Sequence, residues 1–353
     1  MALESPFGRS TRLRVLEEYF REAGEVTAAN AWQHVYRVLL WLDERTQLAH
    51  IYDSNHMQQG GAFYSRAVRF TDEVSKELSI DRKDLGNRID VLFKGCVAEL
   101  LKREGANPAA SAEEVAQLAL LAEEDGEELD ESELIGEISD LLASAGVAAP
   151  KVPSLARAIE ERARRFFTLG NKRKNALGEG FEDLLTMLLE KVSKVPTSKI
   201  QVRKRVSALP GFKKVAQVRG RRRGGERLPK PDIAITDEGV TQVITTAKWS
   251  MRQDRETQFA SEYDGYQKNK VQTTELQFVL ITNEFDVARL DNVARAQPGG
   301  AGGYIFHTIY HINPQLLLET QGERIGAVRG WIDAGKIGSL EDFLLTMRER
   351  FGT

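Results

Sequence analysis

Asp232 and Lys248 are the pair whose types and spacing could do chemistry. They lie in the stretch LPKPDIAITDEGVTQVITTAKWSMRQDRETQFASE, residues 228–262. Pro231 to Ile235 is a short apolar run that contains the acid. Asp237, Glu238 and Gly239 supply turn chemistry, and Val240 to Thr246 is β-branched and alternating, so a strand, a tight turn and a second strand are predicted. Side chains alternate across a strand with a period of two, so an acid on one strand and a lysine on its neighbour can point to the same side. The result is a carboxylate able to hold a metal, set beside a fixed positive charge. Hydrolysis of a phosphodiester asks for that combination: a divalent ion to make hydroxide and neutralise the leaving oxygen, and a cation to steady the anionic transition state.

One acid is too few to hold such an ion, and the position two before the lysine is Thr246. A helix from Arg255 would bring Phe259, Glu262 and Tyr266 onto one face, so Glu262 could reach back to the metal. Magnesium tolerates several waters, and two or three acids suffice for it. Further upstream, Glu182 lies in a predicted helix whose apolar face is Phe181, Leu184, Leu185, Leu188 and Val192. At the edge of that face it can reach a site, although a plain surface glutamate is the competing reading. Residues 199–227 form a basic centre in which Arg221, Arg222 and Arg223 stand among glycines. Alone this is a solvated loop; beside a carboxylate and lysine site it reads as a phosphate clamp.

Taken together, Pro231-Asp232, Thr246 to Ser250, Arg252 to Arg255 and Glu262 resemble the type II restriction endonucleases that recognise sites containing CCGG, a branch of the PD-(D/E)XK nucleases. In that branch the second acid has migrated to a helix about fourteen residues beyond the lysine, and Lys248 and Glu262 are fourteen apart. The likeness is close over about 35 residues and loose over the C-terminal half through Glu182. It implies an α/β (α+β) fold with a restriction-endonuclease-like α/β/α core and a mixed central sheet. It also implies Mg2+ held by Asp232 and Glu262, catalysis by Asp232, Lys248, Glu262 and Glu182, double-stranded DNA as substrate, and a homodimer that could assemble further on DNA. A cognate DNA methyltransferase would be expected in the same system without being a stable partner. Arg252, Asp254 and Arg255 match the family's CCGG-reading element, and Arg289 would contact flanking bases by analogy. The element also makes chemical sense unaided: arginine pairs bidentately with guanine O6 and N7, and a carboxylate accepts from cytosine N4. A salt-bridged helix start is the plainer alternative. Several family members carry a much longer insertion between the acid and the lysine, which here are sixteen apart.

These residues need a scaffold, and 353 residues are enough for one large or two ordinary domains. Residues 1–165 read as an all-helical accessory or dimerisation region, with helical patterns over Ser10–Gly24, Ala28–His50, Phe63–Leu78, Asp84–Arg103, Ser111–Glu124, Asp130–Ala145 and Ser154–Phe167, the last running just past the boundary. Residues 166–353 read as the catalytic and DNA-recognition domain, with further strands over Leu276–Thr282 and Tyr304–Ile312 and helices over Asp286–Ala296 and Ser339–Phe351. Charge divides along similar lines. Residues 1–150 hold 15 basic against 28 acidic side chains and the rest 34 against 24, so one part is suited to a polyanion and the other is not.

The remaining composition excludes several classes. No apolar run approaches a membrane span, no signal peptide is visible, and the single Cys96 allows neither an intramolecular disulfide nor a cysteine metal cluster, so the cytoplasm is the expected place, and the resemblance implies that of a prokaryote. The glycine loop after Gln297 lacks the Gly-Lys-Ser/Thr ending of a phosphate-binding loop. His307 and His311 read as packing residues rather than metal ligands. Two other functions stay open: a structure-specific or repair nuclease of the same chemistry, and a DNA-binding protein on a degenerate nuclease fold, for which Thr246 is the main support.

Overall fold

The computed structural model describes residues 5–42, 64–103, 172–173, 175–214, 229–251, 255–298 and 303–353. The protein is mixed α/β. Its centre is a six-stranded sheet in the order β1 (Ile200–Val202), β2 (Ile233–Asp237), β3 (Val240–Lys248), β4 (Gln277–Thr282), β5 (Thr308–His311) and β6 (Ile337–Ser339). The first three strands pair antiparallel and the last four parallel. The β2–β3 hairpin forms as the turn residues predict. Glu238 and Gly239 take φ of 47° and 77°, the left-handed pair that matches the twist of the flanking strands. The strand predicted over Tyr304–Ile312 is shorter, because regular pairing begins only at Thr308.

Among the described residues, helices are α1 (Arg9–Glu22), α2 (Ala31–Leu39), α3 (Tyr64–Leu78), α4 (Leu85–Arg88), α5 (Val91–Arg103), α6 (175–191), α7 (Arg255–Asn269), α8 (Val287–Arg295), α9 (Pro314–Gln321), α10 (Gly326–Asp333) and α11 (Leu340–Phe351). The single helix predicted over Asp84–Arg103 is two, because Ile89 is extended and Asp90 turns left-handed at φ 61°. The helix predicted from Ala28 to His50 gives way at Leu40, whose ψ is 127°, and residues 43–50 lie outside the described ones. The helices predicted over Ser111–Glu124, Asp130–Ala145 and Ser154–Phe167 also lie outside them. The tail behaves as its sequence reads: Ser339 and Asp342 form a reciprocal capping box at the start of α11.

The pleat decides what covers the sheet. Phe278 of β4 meets Tyr263 and Tyr266 of α7, at ring separations of 4.8 and 5.5 Å. Tyr310 of β5 points to the other face and meets Phe343 of α11 at 5.2 Å. Helices therefore cover both faces, and β2 to β5 are buried almost throughout, as parallel sheet requires.

The expected boundary at residue 165 falls outside the described residues. By contacts, Met1–Val15 groups with Leu92–Leu177, and Leu16–Val91 groups with Gly178–Thr353. In the first unit the ring of Phe7 lies tilted against that of Phe93 at 5.8 Å, and buried Arg12 donates to the Phe7 carbonyl at 2.8 Å. Gly95 is required there, since a Cβ would stand 2.6 Å from Val15. In the second unit α2 and α3 belong with the sheet. The fully buried Tyr36 hydroxyl donates to Asn283 at 2.8 Å, Phe70 packs edge-on to Phe285 at 5.1 Å, and Arg66 donates to Gln321 at 2.6 Å.

Candidate functional site

The antiparallel corner of the sheet places the acid and the lysine. Asp232 stands immediately before β2, where its carbonyl accepts from the Arg203 amide at 2.9 Å and so extends the β1–β2 ladder by one bond. Across the hairpin its carboxylate Oδ2 accepts from the Ala247 amide at 2.8 Å and from Lys248 Nζ at 2.7 Å. The two partners are half-buried, with side-chain exposures of 17% for Asp232 and 24% for Lys248, so the pair is shielded without being sealed. Both hydrogen bonds end on Oδ2. Thr246, where a second acid would stand, is buried in β3.

Glu182 comes to the same corner from α6, where Phe181 anchors the helix against Trp249 at a ring separation of 5.4 Å. Burial and the neighbouring negative charge of Asp232 push its carboxyl up to about 7, against the opposing pull of Arg203 and Lys248. Arg203 is the residue that sequence reasoning missed. It follows β1 with a left-handed φ of 51°, and its guanidinium forms a short ion pair with Glu182, donates to the Glu179 carbonyl at 2.7 Å and lies 3.7 Å from buried Asp183. In the sequence it is one of an undivided basic run. A non-glycine left-handed residue carries no local signal in arginine, so nothing in the chain marked it out.

Glu262 stands on α7 as its spacing predicts. Phe259 and Tyr266 on the same stripe are buried, while Glu262 is half-buried and accepts from Gln258 at 2.6 Å. Asp232 and Glu262 both act electrostatically on Tyr266, whose hydroxyl burial and these two carboxylates push far above its ordinary value. Oxygen donors of this kind suit magnesium, and two carboxylates with several waters are enough for it. The buried Tyr266 hydroxyl has no hydrogen-bond partner among the described residues, a further oxygen that fits a hydrated ion beside these carboxylates. Among the described residues, no three His, Cys, Asp or Glu side chains form a group that could hold a metal ion by themselves.

The other residues singled out in the sequence fall in three places. Arg221, Arg222 and Arg223 lie outside the described residues, as do Arg252 and Asp254; the backbone of Arg255 opens α7. Arg289 is engaged at home: its guanidinium donates to the Met251 carbonyl at 2.6 Å and lies 3.8 Å from Glu284 and from Asp286. Glu284, unmarked in the sequence reading, is fully buried and accepts from the Met251 amide at 2.7 Å and the Asp286 amide at 2.8 Å. Two side chains from beyond β4 thus hold both main-chain groups of Met251. His311 is fully buried and neutral, its pKa pushed by burial to about 4, and both ring nitrogens bond main-chain groups of Glu284 and Asn313, so it has no lone pair to spare for a metal. His307 Nδ1 likewise accepts from the Phe278 amide at 3.0 Å.

No protein-family model matches the chain, and no curated protein matches it. No helix among the described residues is long and apolar enough to cross a membrane.

Proposed function

We propose that the protein is a magnesium-dependent type II restriction endonuclease that cuts double-stranded DNA at a palindromic site containing CCGG, on a restriction-endonuclease-like core, as a homodimer in a prokaryotic cytoplasm. The observation that carries this reading is the contact between Asp232 and Lys248 where β2 begins and β3 ends, with Glu182 electrostatically linked to the same corner. Magnesium, when bound by Asp232 and Glu262, would supply hydroxide at neutral pH and neutralise the leaving oxygen. Lys248 brings a positive charge that cannot diffuse away, placed to stabilise the pentacoordinate anion as water attacks phosphorus and the bond to the leaving sugar oxygen breaks. Glu182, with a proton affinity near neutrality, is suited to take the proton of the attacking water. Arg203 holds that carboxylate in place and is a positioning residue.

Specificity in this reading comes from Arg252, Asp254 and Arg255, the last of which is the first residue of α7. Two arginines and one acid suit two adjacent G·C pairs, and a symmetric second subunit reads the other two. The test is digestion of a sequenced plasmid with Mg2+, followed by sequencing of the ends. Uniform ends at sites containing CCGG that disappear in Asp232→Ala support the reading. Cutting at branches or mismatches without a defined site moves the function to a repair nuclease. A second reading, a DNA-binding protein without catalysis, draws on Thr246 and predicts CCGG binding with no cut.

A further inference from the structure

The Tyr266 hydroxyl is a buried polar group close to this corner that the catalytic reading leaves without a task. The side chain is 2% exposed, and Phe212 and Phe278 flank its ring at 6.4 and 5.5 Å, so the apolar body is fully packed. The hydroxyl alone is unanswered: among the described residues it has no hydrogen-bond partner. Burying such a group costs free energy that a phenylalanine in the same slot would not incur, so its retention beside two carboxylates calls for an explanation by a water or ion. Its surroundings say which. Tyr266 lies one helical turn beyond Glu262, on the same stripe of α7. The neighbouring Gly265 lets that helix approach the chain leading into Asp232 so closely that a Cβ there would stand 3.0 Å from Pro229. The carboxylates of Glu262 and Asp232 both bear on the hydroxyl.

We propose that Tyr266 is a positioning residue of the metal site: its hydroxyl donates a hydrogen bond to the water shell that a divalent cation brings between Asp232 and Glu262. The proposal rests on the nuclease reading and adds a residue to it. The hydroxyl is a donor that both carboxylates attract, it is shielded from bulk solvent, and its ring is packed between Phe212 and Phe278. A water held by the cation and by this donor loses its freedom before substrate arrives, and the cation gains affinity from an interaction that the apo protein lacks.

The experiment uses the full chain without DNA. Thermal unfolding is followed while Mg2+ is titrated into the wild type, Tyr266→Phe and Glu262→Gln. Expected is a metal-free Tyr266→Phe protein at least as stable as the wild type, because an unpaired buried hydroxyl has been removed. Its Mg2+ half-saturation should rise by about three- to tenfold, the range of one hydrogen bond, while Glu262→Gln loses the Mg2+ response. A Tyr266→Phe titration that overlays the wild type overturns the proposal and leaves the nuclease reading standing. A wild type with no Mg2+ response overturns both. The Mg2+ dependence of cleavage should move by the same factor.

Discussion

Replacing Glu284 by glutamine should remove a pH dependence of stability whose size follows from the burial of that carboxyl. Glu284 is fully buried, and burial pushes its pKa from 4.5 up to about 7 despite the Met251 and Asp286 amides and the nearby Arg289. Below about pH 4.5 the group is protonated in both folded and unfolded chains. Between about 4.5 and 7 the folded protein keeps the proton that the unfolded chain has lost, so stability falls as pH rises through that window and is constant above it. A shift from 4.5 to about 7 corresponds to roughly 3 kcal/mol. Glutamine cannot ionise. It also keeps only one acceptor for the two amides, which costs about 1–3 kcal/mol at every pH. The difference in unfolding free energy between Glu284→Gln and the wild type should therefore move by roughly 3 kcal/mol in favour of the variant between pH 4.5 and 8, from a constant unfavourable offset. Urea unfolding of both proteins at half-unit pH steps measures it. Glu182 is pushed the same way but is present in both proteins, so it cancels. Two parallel curves across the window would refute the argument and mean that Glu284 ionises freely in the folded state.

Four further outcomes are expected. Asp232→Ala, Lys248→Ala and Glu262→Ala should each lower Mg2+-dependent cleavage by at least about two orders of magnitude with specific DNA binding kept at least in part; near-normal cleavage by Glu262→Ala in a plasmid assay would remove the migrated acid from the site. Arg203→Met deprives Glu182 of the cation that lowers its pKa, so the pH at which cleavage rises should move upward, and Arg203→Lys should restore part of the shift in a pH–rate profile. Neutralising Arg221, Arg222 and Arg223 should weaken binding to all duplexes alike and flatten its salt dependence, with an unchanged slope assigning these side chains to solvent. Arg255→Ala should cost roughly 1–3 kcal/mol of discrimination between a CCGG duplex and one with the central CG exchanged for GC, measured by competition at fixed salt; a wild type with no preference would end the recognition assignment.

What the chain determines alone is whatever depends on neighbours a few residues away. Asp237-Glu238-Gly239 and the alternating run after it specify the hairpin, since left-handed turn residues and a period of two are local properties, but an unbroken ladder would pair Asp232 with Thr245 and turn Lys248 to the other face; the register shift between Ile235 and Thr236, which leaves Gln242 out of the pairing, is what sets Lys248 against Asp232. The spacing of Phe259, Glu262 and Tyr266 specifies the stripe of α7 in the same way, and Ser339 with Asp342 starts α11. Only the tertiary structure decided the rest. Glu182 read equally well as surface or site, because its proton affinity is set first by burial and then by Asp232, against the pull of Arg203, all of which come from other elements. Arg289 read only as a contact to flanking bases by analogy, and the bond from its guanidinium to the Met251 carbonyl, 38 positions of chain away, is visible only in the fold. α2 and α3 read as part of a separate region, and Tyr36 joins Asn283 from 247 residues away. Burial and charge pairing of this kind depend on which distant groups exclude water around a side chain, and no local pattern encodes that.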